Sequence, residues 1–387
     1  MRRIRRICER RSGQLKRIHS KAMEAVLSAA FALSLTSGIV PAYAQSAPEH
    51  TTARVKYVYY KDIGDGSVDR IKISSPMLWV NGALSDSVEF EAGAVYDAVS
   101  GASPLYLDSV SGASGTGIED NRRAGDLKIT KYFENYSIGL GGSISDEDDY
   151  LSRSGSLDAR IWTPDKNTVF ATGVSSDWDH ITSSNNPDLG ADRKTQHYLL
   201  GVTQVLNPQA IVQSNVTFTT GHGHYNDPYK LFENRPSSRQ DVAWLTRFNY
   251  YFTKLDSSAH IDYRLFRDSW GVLAHMVALR YYQPLSANFT LVPMVRYYTQ
   301  NGARFFLSES EIPPLDFEAN SSADERLSSF GSITPGLKVI AKVNDSFEFD
   351  ALYQYMVQAS NLELGSSDDT FNGLTAHYFE VGMSVKF

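Results

Sequence analysis

His377-Tyr378-Phe379-Glu380-Val381-Gly382-Met383-Ser384-Val385-Lys386-Phe387 is an alternating segment with an aromatic as its last residue. Phe379, Val381, Met383, Val385 and Phe387 fall on one face; Tyr378, Glu380, Gly382, Ser384 and Lys386 fall on the other. Successive side chains of a strand point to opposite faces, so one side suits lipid and the other water. An edge strand of a soluble sandwich would read the same way locally, and the rest of the chain must decide.

Working backwards from this segment, period-two alternation bounded by Gly, Pro, Asn and Asp predicts about sixteen strands, most near or above the ~9–11 residues that a tilted membrane strand needs. They fall at 54–62, 69–81, 87–97, 121–134, 137–145, 150–163, 167–178, 193–206, 209–221, 239–253, 257–267, 270–283, 288–300, 326–343, 346–358 and 375–387. After even-numbered strands the links are short and turn-like, as at Asn135-Tyr136, Asn207-Pro208 and Asn344-Asp345. After odd-numbered strands they are mostly longer: 98–120, 179–192, 222–238, 301–325 and 359–374. A soluble sandwich has no reason to sort loop length by parity, whereas a transmembrane barrel has short periplasmic turns and long outer loops. The expected fold is therefore all-β, a transmembrane antiparallel up-and-down β-barrel. Aromatic clusters such as Tyr57-Val58-Tyr59-Tyr60 and Phe248-Asn249-Tyr250-Tyr251-Phe252 lie near the predicted strand ends, where interfacial girdles belong.

The amino terminus agrees. Nine basic residues, Arg2 to Lys21, precede an apolar stretch at 25–40 and then Ala42-Tyr43-Ala44. This reads as a secretory signal peptide, 1–44, cleaved before Gln45, leaving one domain at 45–387. The chain holds 37 basic and 44 acidic residues; the leader takes nine and two of them, which leaves the remainder at a net charge of −14. That acidity argues against nucleic acid as a partner. The one cysteine, Cys8, lies in the leader, so the mature chain has no disulfide or thiolate chemistry. No later window approaches the ~18 consecutive apolar residues of a membrane helix. Export and strand pattern together place the chain in the outer membrane of a Gram-negative bacterium, in contact with its lipid and lipopolysaccharide. Phe387, with Val385 and Met383 on the same face, resembles the sorting signal read by the barrel-assembly machinery.

Several segments resemble the domain of unknown function 3570 family of Gram-negative outer-membrane proteins. They are Asp97-Ala98-Val99-Ser100-Gly101-Ala102-Ser103-Pro104, Ser111-Gly112-Ala113-Ser114-Gly115, Asn226-Asp227-Pro228-Tyr229-Lys230, Asp268-Ser269-Trp270-Gly271 and Arg296-Tyr297-Tyr298-Thr299-Gln300. The resemblance implies an outer-membrane barrel and no reaction. It also implies gene neighbours among small lipoproteins, thioredoxin-like proteins and flavin-transferring enzymes, and so an export or redox partner as an expectation.

Charges inside membrane strands belong in the lumen. Arg247, Arg264, Arg280 and Arg296 fall on neighbouring predicted strands with Asp262 beside them, and Glu89, Glu91 and Asp97 share a face half a circumference away. Two readings stay open: an arginine wall facing a carboxylate wall sets a transverse field at a constriction, or each charge pairs with a neighbour across strands. The segment 98–120 offers a loop that could enter the lumen, with Ser100, Gly101, Ala102, Ser103 and Pro104 packing closely against a wall.

Other chemistry is less well supported. His222-Gly223-His224 puts two imidazoles on one side of an extended segment, but a specific metal site usually needs three or four ligands. Asp146-Glu147-Asp148-Asp149 and Asp65-Gly66-Ser67-Val68-Asp69 lack the spacing of a calcium loop. His180, His197, His260, His275 and His377 are scattered, with no Gly-x-Ser-x-Gly turn, so neither an enzyme nor a cofactor is expected. The expected function is a porin-like channel for small polar solutes. A sheath or export partner around a small lipoprotein or redox protein is the alternative, followed by a barrel enzyme.

Overall fold

The computed structural model describes residues 46–64, 69–101, 118–183, 186–228, 233–307, 319–365 and 373–387, the side chains of 69–70, 99–101 and 118–120 excepted. The segment 1–44, expected to be a signal peptide, and the middle of the segment 98–120 lie outside these residues.

Sixteen strands run up and down: β1 Thr52–Gly64, β2 Asp69–Ser85, β3 Val88–Gly101, β4 Ile118–Tyr132, β5 Tyr136–Asp146, β6 Tyr150–Trp162, β7 Thr168–Ile181, β8 Ala191–Asn207, β9 Ala210–Gly223, β10 Ser238–Phe252, β11 Ser257–Asp268, β12 Leu273–Pro284, β13 Phe289–Gln300, β14 Phe330–Lys342, β15 Phe347–Ala359 and β16 Leu374–Lys386. Each pairs antiparallel with its sequence neighbours, and β16 pairs with β1, so the sheet closes on itself. Closure leaves no edge strand with unpaired backbone groups, the condition for a sheet in hydrocarbon. Every predicted strand is present, and the short turns after even strands, at 86–87, 133–135, 163–167, 208–209, 253–256, 285–288 and 343–346, all fall at one end.

Alternation decides which face looks out. Leu140, Leu157, Phe170, Leu200, Val216, Leu279, Phe349 and Val381 are all exposed on the outer wall, while Ser75, Ser137, Thr334 and Glu380 are buried on the inner one. Met383, Val385 and Phe387 carry the outward pattern to the end of β16. The backbone of Phe387 exchanges hydrogen bonds of 3.0 and 3.1 Å with Thr51, adding a last rung to the β16–β1 seam. The lumen has its own packing rule: an inward glycine makes room for a carboxylate on the next strand. A Cβ at Gly382 would sit 2.6 Å from Oδ1 of Asp350, and one at Gly139 would sit 2.6 Å from Oδ1 of Asp158.

Two strands begin three or four residues later than predicted, for local reasons. β12 starts at Leu273 instead of 270 because Oδ1 of Asp268 accepts hydrogen bonds from the amides of Trp270 (3.0 Å) and Val272 (2.8 Å), and Gly271 turns at φ 104°. β14 starts at Phe330 instead of 326 because Asp324 caps a 3-10 turn, Glu325–Leu327. β3 and β4 extend beyond prediction, to Gly101 and from Ile118, since the ladder between them continues unbroken.

Candidate lumen and extracellular mouth

The four predicted lumen arginines all lie on inward positions of β10–β13. Arg247 stands directly across from Asp262 in the β10–β11 ladder, with Nε 3.9 Å from Oδ1. Arg280 on β12 reaches the same carboxylate from the other side, Nη2 to Oδ2 at 2.6 Å. One aspartate, 7% exposed, thus serves two guanidinium groups. Continuing along that ladder row, Asp262 pairs with Ala278 and Ala278 with Arg296, which puts Arg247 and Arg296 on one row. Arg264 sits one inward position further toward the outer end of β11.

Glu89 and Glu91 project inward from β3, eight strands from β11 around the barrel. Glu89 accepts hydrogen bonds from the Asn81 side chain and from the Tyr132 hydroxyl. Glu91 stands across from Lys128, whose Nζ lies 2.6 Å from Oδ1 of Asp158. The carboxylates start one and three residues from the inner end of β3, whereas Arg247 and Arg296 lie five and seven from the inner ends of β10 and β13. At ~3.3 Å of rise per residue the arginines are set further up the wall than the glutamates. Among the described residues, no ion pair joins the two sets. Asp97, higher on β3, takes its own partners: the Ser75 hydroxyl and Arg122, whose Nε donates at 2.6 Å.

A second charged row crosses the seam and has no counterpart in the sequence reading. Lys338 of β14 pairs with Asp350 of β15 at 2.9 Å and lies 4.0 Å from Glu380 of β16, which accepts from Lys56 of β1 at 2.6 Å. Two lysines thus flank two carboxylates over four strands. The only local clue is that each of these charges occupies an inward position.

The extracellular mouth is partly covered by ordered loops after β9, β11 and β13. Trp270, Val272, Ala303 and Leu327 form a buried apolar cluster, with Tyr225, Phe266, Phe305 and Phe306 packed against it. Phe266 points inward from β11, and inward Arg239 stacks 4.5 Å from the Trp270 ring centre while pairing with Asp268 at 2.6 Å. Gln300, inward on β13, donates to the carbonyls of Arg326 (3.0 Å) and Ser328 (2.7 Å). The loops therefore lie over the inner wall.

Beside this cluster is an ionic knot: Arg326 Nε donates to both oxygens of Asp324, at 2.8 and 2.9 Å. Arg235 reaches Asp324 at 2.8 Å and also contacts Glu233, while Asp227 lies 3.6 Å from Arg326. Burial acts to depress the pKa of Arg326, but the charges of Asp324, Asp227 and Glu233 outweigh it and hold it above the ordinary value. Burial pushes the Glu233 carboxyl upward, with Arg235 opposing. Asp227 and Asp268-Ser269-Trp270-Gly271, two of the segments that carry the family resemblance, fall in this cap.

The segment predicted to plug the lumen is only partly within the described residues. Ser100 and Gly101 end β3, their backbones paired with Glu119 and Ile118, while Ala102, Ser103 and Pro104 lie outside. His222 faces outward at the end of β9, and the amide of His224 donates to the Asp192 carbonyl at 3.1 Å.

Comparison with solved structures returns barrels. CdiB from Acinetobacter baumannii aligns at TM-score 0.51 and 9% identity, over 86% of this chain and 60% of that one, so the chain spans about 60% of CdiB's length. A bacterial polysaccharide outer membrane secretin aligns at TM-score 0.50 and 9% identity, over 87% of this chain and 98% of that one. At such identities the likeness is one of fold. No curated protein matches the sequence. A family model described as a protein of unknown function (DUF3570) matches residues 109–192 and 185–382, most of the barrel from within the β3–β4 connection onward. The chain belongs to the DUF3570 family, and its barrel has the fold of outer-membrane proteins.

Proposed function

We propose that this chain is an outer-membrane channel for small polar solutes, with a charged lumen and a mouth narrowed by the ordered cap. The observation that carries this reading is the inner wall, where polar and ionised side chains from nearly every strand line a closed barrel whose outer wall is apolar. A sixteen-stranded barrel is wide enough for an aqueous path. The Arg247–Asp262–Arg280 group, with Arg264 and Arg296 beside it, makes one wall cationic, and Glu89 and Glu91, lower on the far wall, add to the field across the lumen.

Planar-bilayer conductance of refolded residues 45–387, at high salt and both polarities, is the direct test. Stable unitary steps are expected. Asp262→Ala uncovers two guanidinium groups in the path, so the anion-to-cation permeability ratio should rise a few-fold, from the focusing of charge in a low-dielectric pore. A properly folded, heat-modifiable barrel that stays silent would overturn the channel reading.

A further inference from the structure

We infer that the outer wall near the extracellular end of β6–β9 is a binding site for a phosphorylated lipid headgroup, held by Arg153, Lys194 and His222 around Trp178. The register places these four side chains on one row: Arg153 across from Trp178, Trp178 across from Lys194, and Lys194 across from His222. All four point out of the barrel. On β7 and β8 they share the face of Val174 and Leu200, and Trp178 is itself 50% exposed. The row lies within three residues of the outer strand ends, about 10 Å at the usual rise.

The charges on this row are uncompensated. Among the described residues, the side chains of Arg153, Lys194 and His222 form no ion pair or hydrogen bond, unlike Lys128 and Arg193 on the inner face of the neighbouring wall. The one outward acid here, Asp192, is taken by His180, with Nδ1 2.8 Å from Oδ1. Asp179 is turned inward onto Arg193 at 2.8 Å. Arg123 on β4 and Arg267 on β11 also face outward, but no cation occupies the positions paired with them, and outward Lys61 and Lys72, which stand across from each other, each have an interaction of their own. Unpaired cations on the lipid side of a membrane strand are costly unless an anion or water meets them. A concentration of them at one level is a receptor for an anion held at that level.

The surroundings fit a lipid better than a free ion. These residues line a shallow hollow of about 440 Å³ together with Leu151, Arg193, Asp179 and the His180–Asp192 pair. Gly155, beside Trp178, leaves the ring face open: a Cβ there would lie 3.9 Å from the indole. Directly inward along the strands come Ser176, Gln196 and Thr220, then Leu157, Val174, Leu200 and Val216, the last four exposed at 49, 47, 67 and 42%. The order is a charged row, a polar step and an apolar wall. It matches a phosphate, a sugar able to stack on Trp178, and acyl chains, in that order. Arg153 supplies a planar fork for phosphate oxygens and Lys194 a point charge.

This inference rests on membrane insertion of the barrel and is independent of whether the lumen conducts. The test uses refolded residues 45–387 in detergent, with lipid A as the probe and native mass spectrometry or thermal shift as the readout. Wild type should bind bis-phosphorylated lipid A at least tenfold more tightly than the dephosphorylated form, with inorganic phosphate at millimolar concentration failing to compete. Arg153→Gln/Lys194→Gln should weaken binding by about 100-fold, roughly tenfold per charge-assisted hydrogen bond lost. Arg153→Lys should lose less. Each variant is scored only with a heat-modifiable band matching wild type. Equal binding of the two lipids, unchanged affinity in the double variant, or competition by inorganic phosphate would each overturn the assignment. A silent bilayer with intact lipid binding would sink the channel and leave this site standing.

Discussion

An Arg326→Ala protein should keep its barrel and lose its extracellular cap. Arg326 binds both oxygens of Asp324 through Nε, with Nη2 also on Oδ2, and lies 3.6 Å from Asp227, and these carboxylates are only 3% and 8% exposed. Removing the guanidinium strips two buried acids of a countercharge, a change worth about 3–5 kcal/mol when one partner of a buried pair is deleted. Because that energy is spent within the loops and not in the ladders, the loss is local. Amide exchange across 224–228, 233–237 and 319–329 should accelerate by roughly 10²–10⁴, at 1.36 kcal/mol per factor of ten, while strand amides and the heat-modifiable band stay as they are. Arg326→Lys should fall between, since an ammonium cannot match the planar fork. Unchanged exchange in the alanine protein would remove the ionic knot as the reason the cap is ordered.

Glu233 supplies the contrasting case in the same knot. Burial raises its pKa above the ordinary value of 4.5 even with Arg235 opposing, so its neutral form is the one the fold favours. The sign follows: its favourable contribution is complete below 4.5 and is lost as pH rises through the raised folded value. At neutral pH Glu233→Gln should therefore alter exchange in the cap by less than about tenfold. A Gln protein as loosened as Arg326→Ala would show that the Glu233 charge, not its shape, is needed.

The strands were legible because period two and loop-length parity are local, and both survive without knowledge of partners. Arg247 and Asp262 could also be anticipated as neighbours, since a hairpin turn fixes their register within a short stretch of chain. What escaped was set by closure. Lys56 and Glu380 are 324 residues apart, and only the β16–β1 seam makes them adjacent. The cap escaped for a related reason: Arg235 and Asp324 come from loops 89 positions apart, each of which reads alone as a polar external segment. The boundary errors at Trp270 and Arg326 arose where an apolar or charged run looked strand-like but a single aspartate, Asp268 or Asp324, captured backbone amides and held the chain in a turn.

Glu380→Lys should be the most damaging single change in the lumen. Glu380, 7% exposed, accepts from Lys56 at 2.6 Å and from the Tyr378 hydroxyl at 2.9 Å, with Lys338 at 4.0 Å. Reversal sets a third ammonium between two others across the strand pair that closes the barrel. Lys56 is about a third exposed (32%), which screens part of the effect, so the loss of the pair is placed at roughly 2–3 kcal/mol, with repulsion added to it. Near the refolding midpoint this should lower the ratio of heat-modifiable to unfolded protein by about 10², at 1.36 kcal/mol per tenfold. Glu380→Gln tests whether charge is the cause: it keeps a hydrogen-bond acceptor for Tyr378 and should lose at most about tenfold in that ratio. Equal refolding of the Lys and Gln proteins would mean that the backbone ladder from Thr52 to Gly64 closes the seam unaided. A deficit confined to the Lys protein would assign the ion-paired row of Lys338, Asp350, Glu380 and Lys56 the task of matching the last strand to the first, a task that no hairpin turn performs at this one junction.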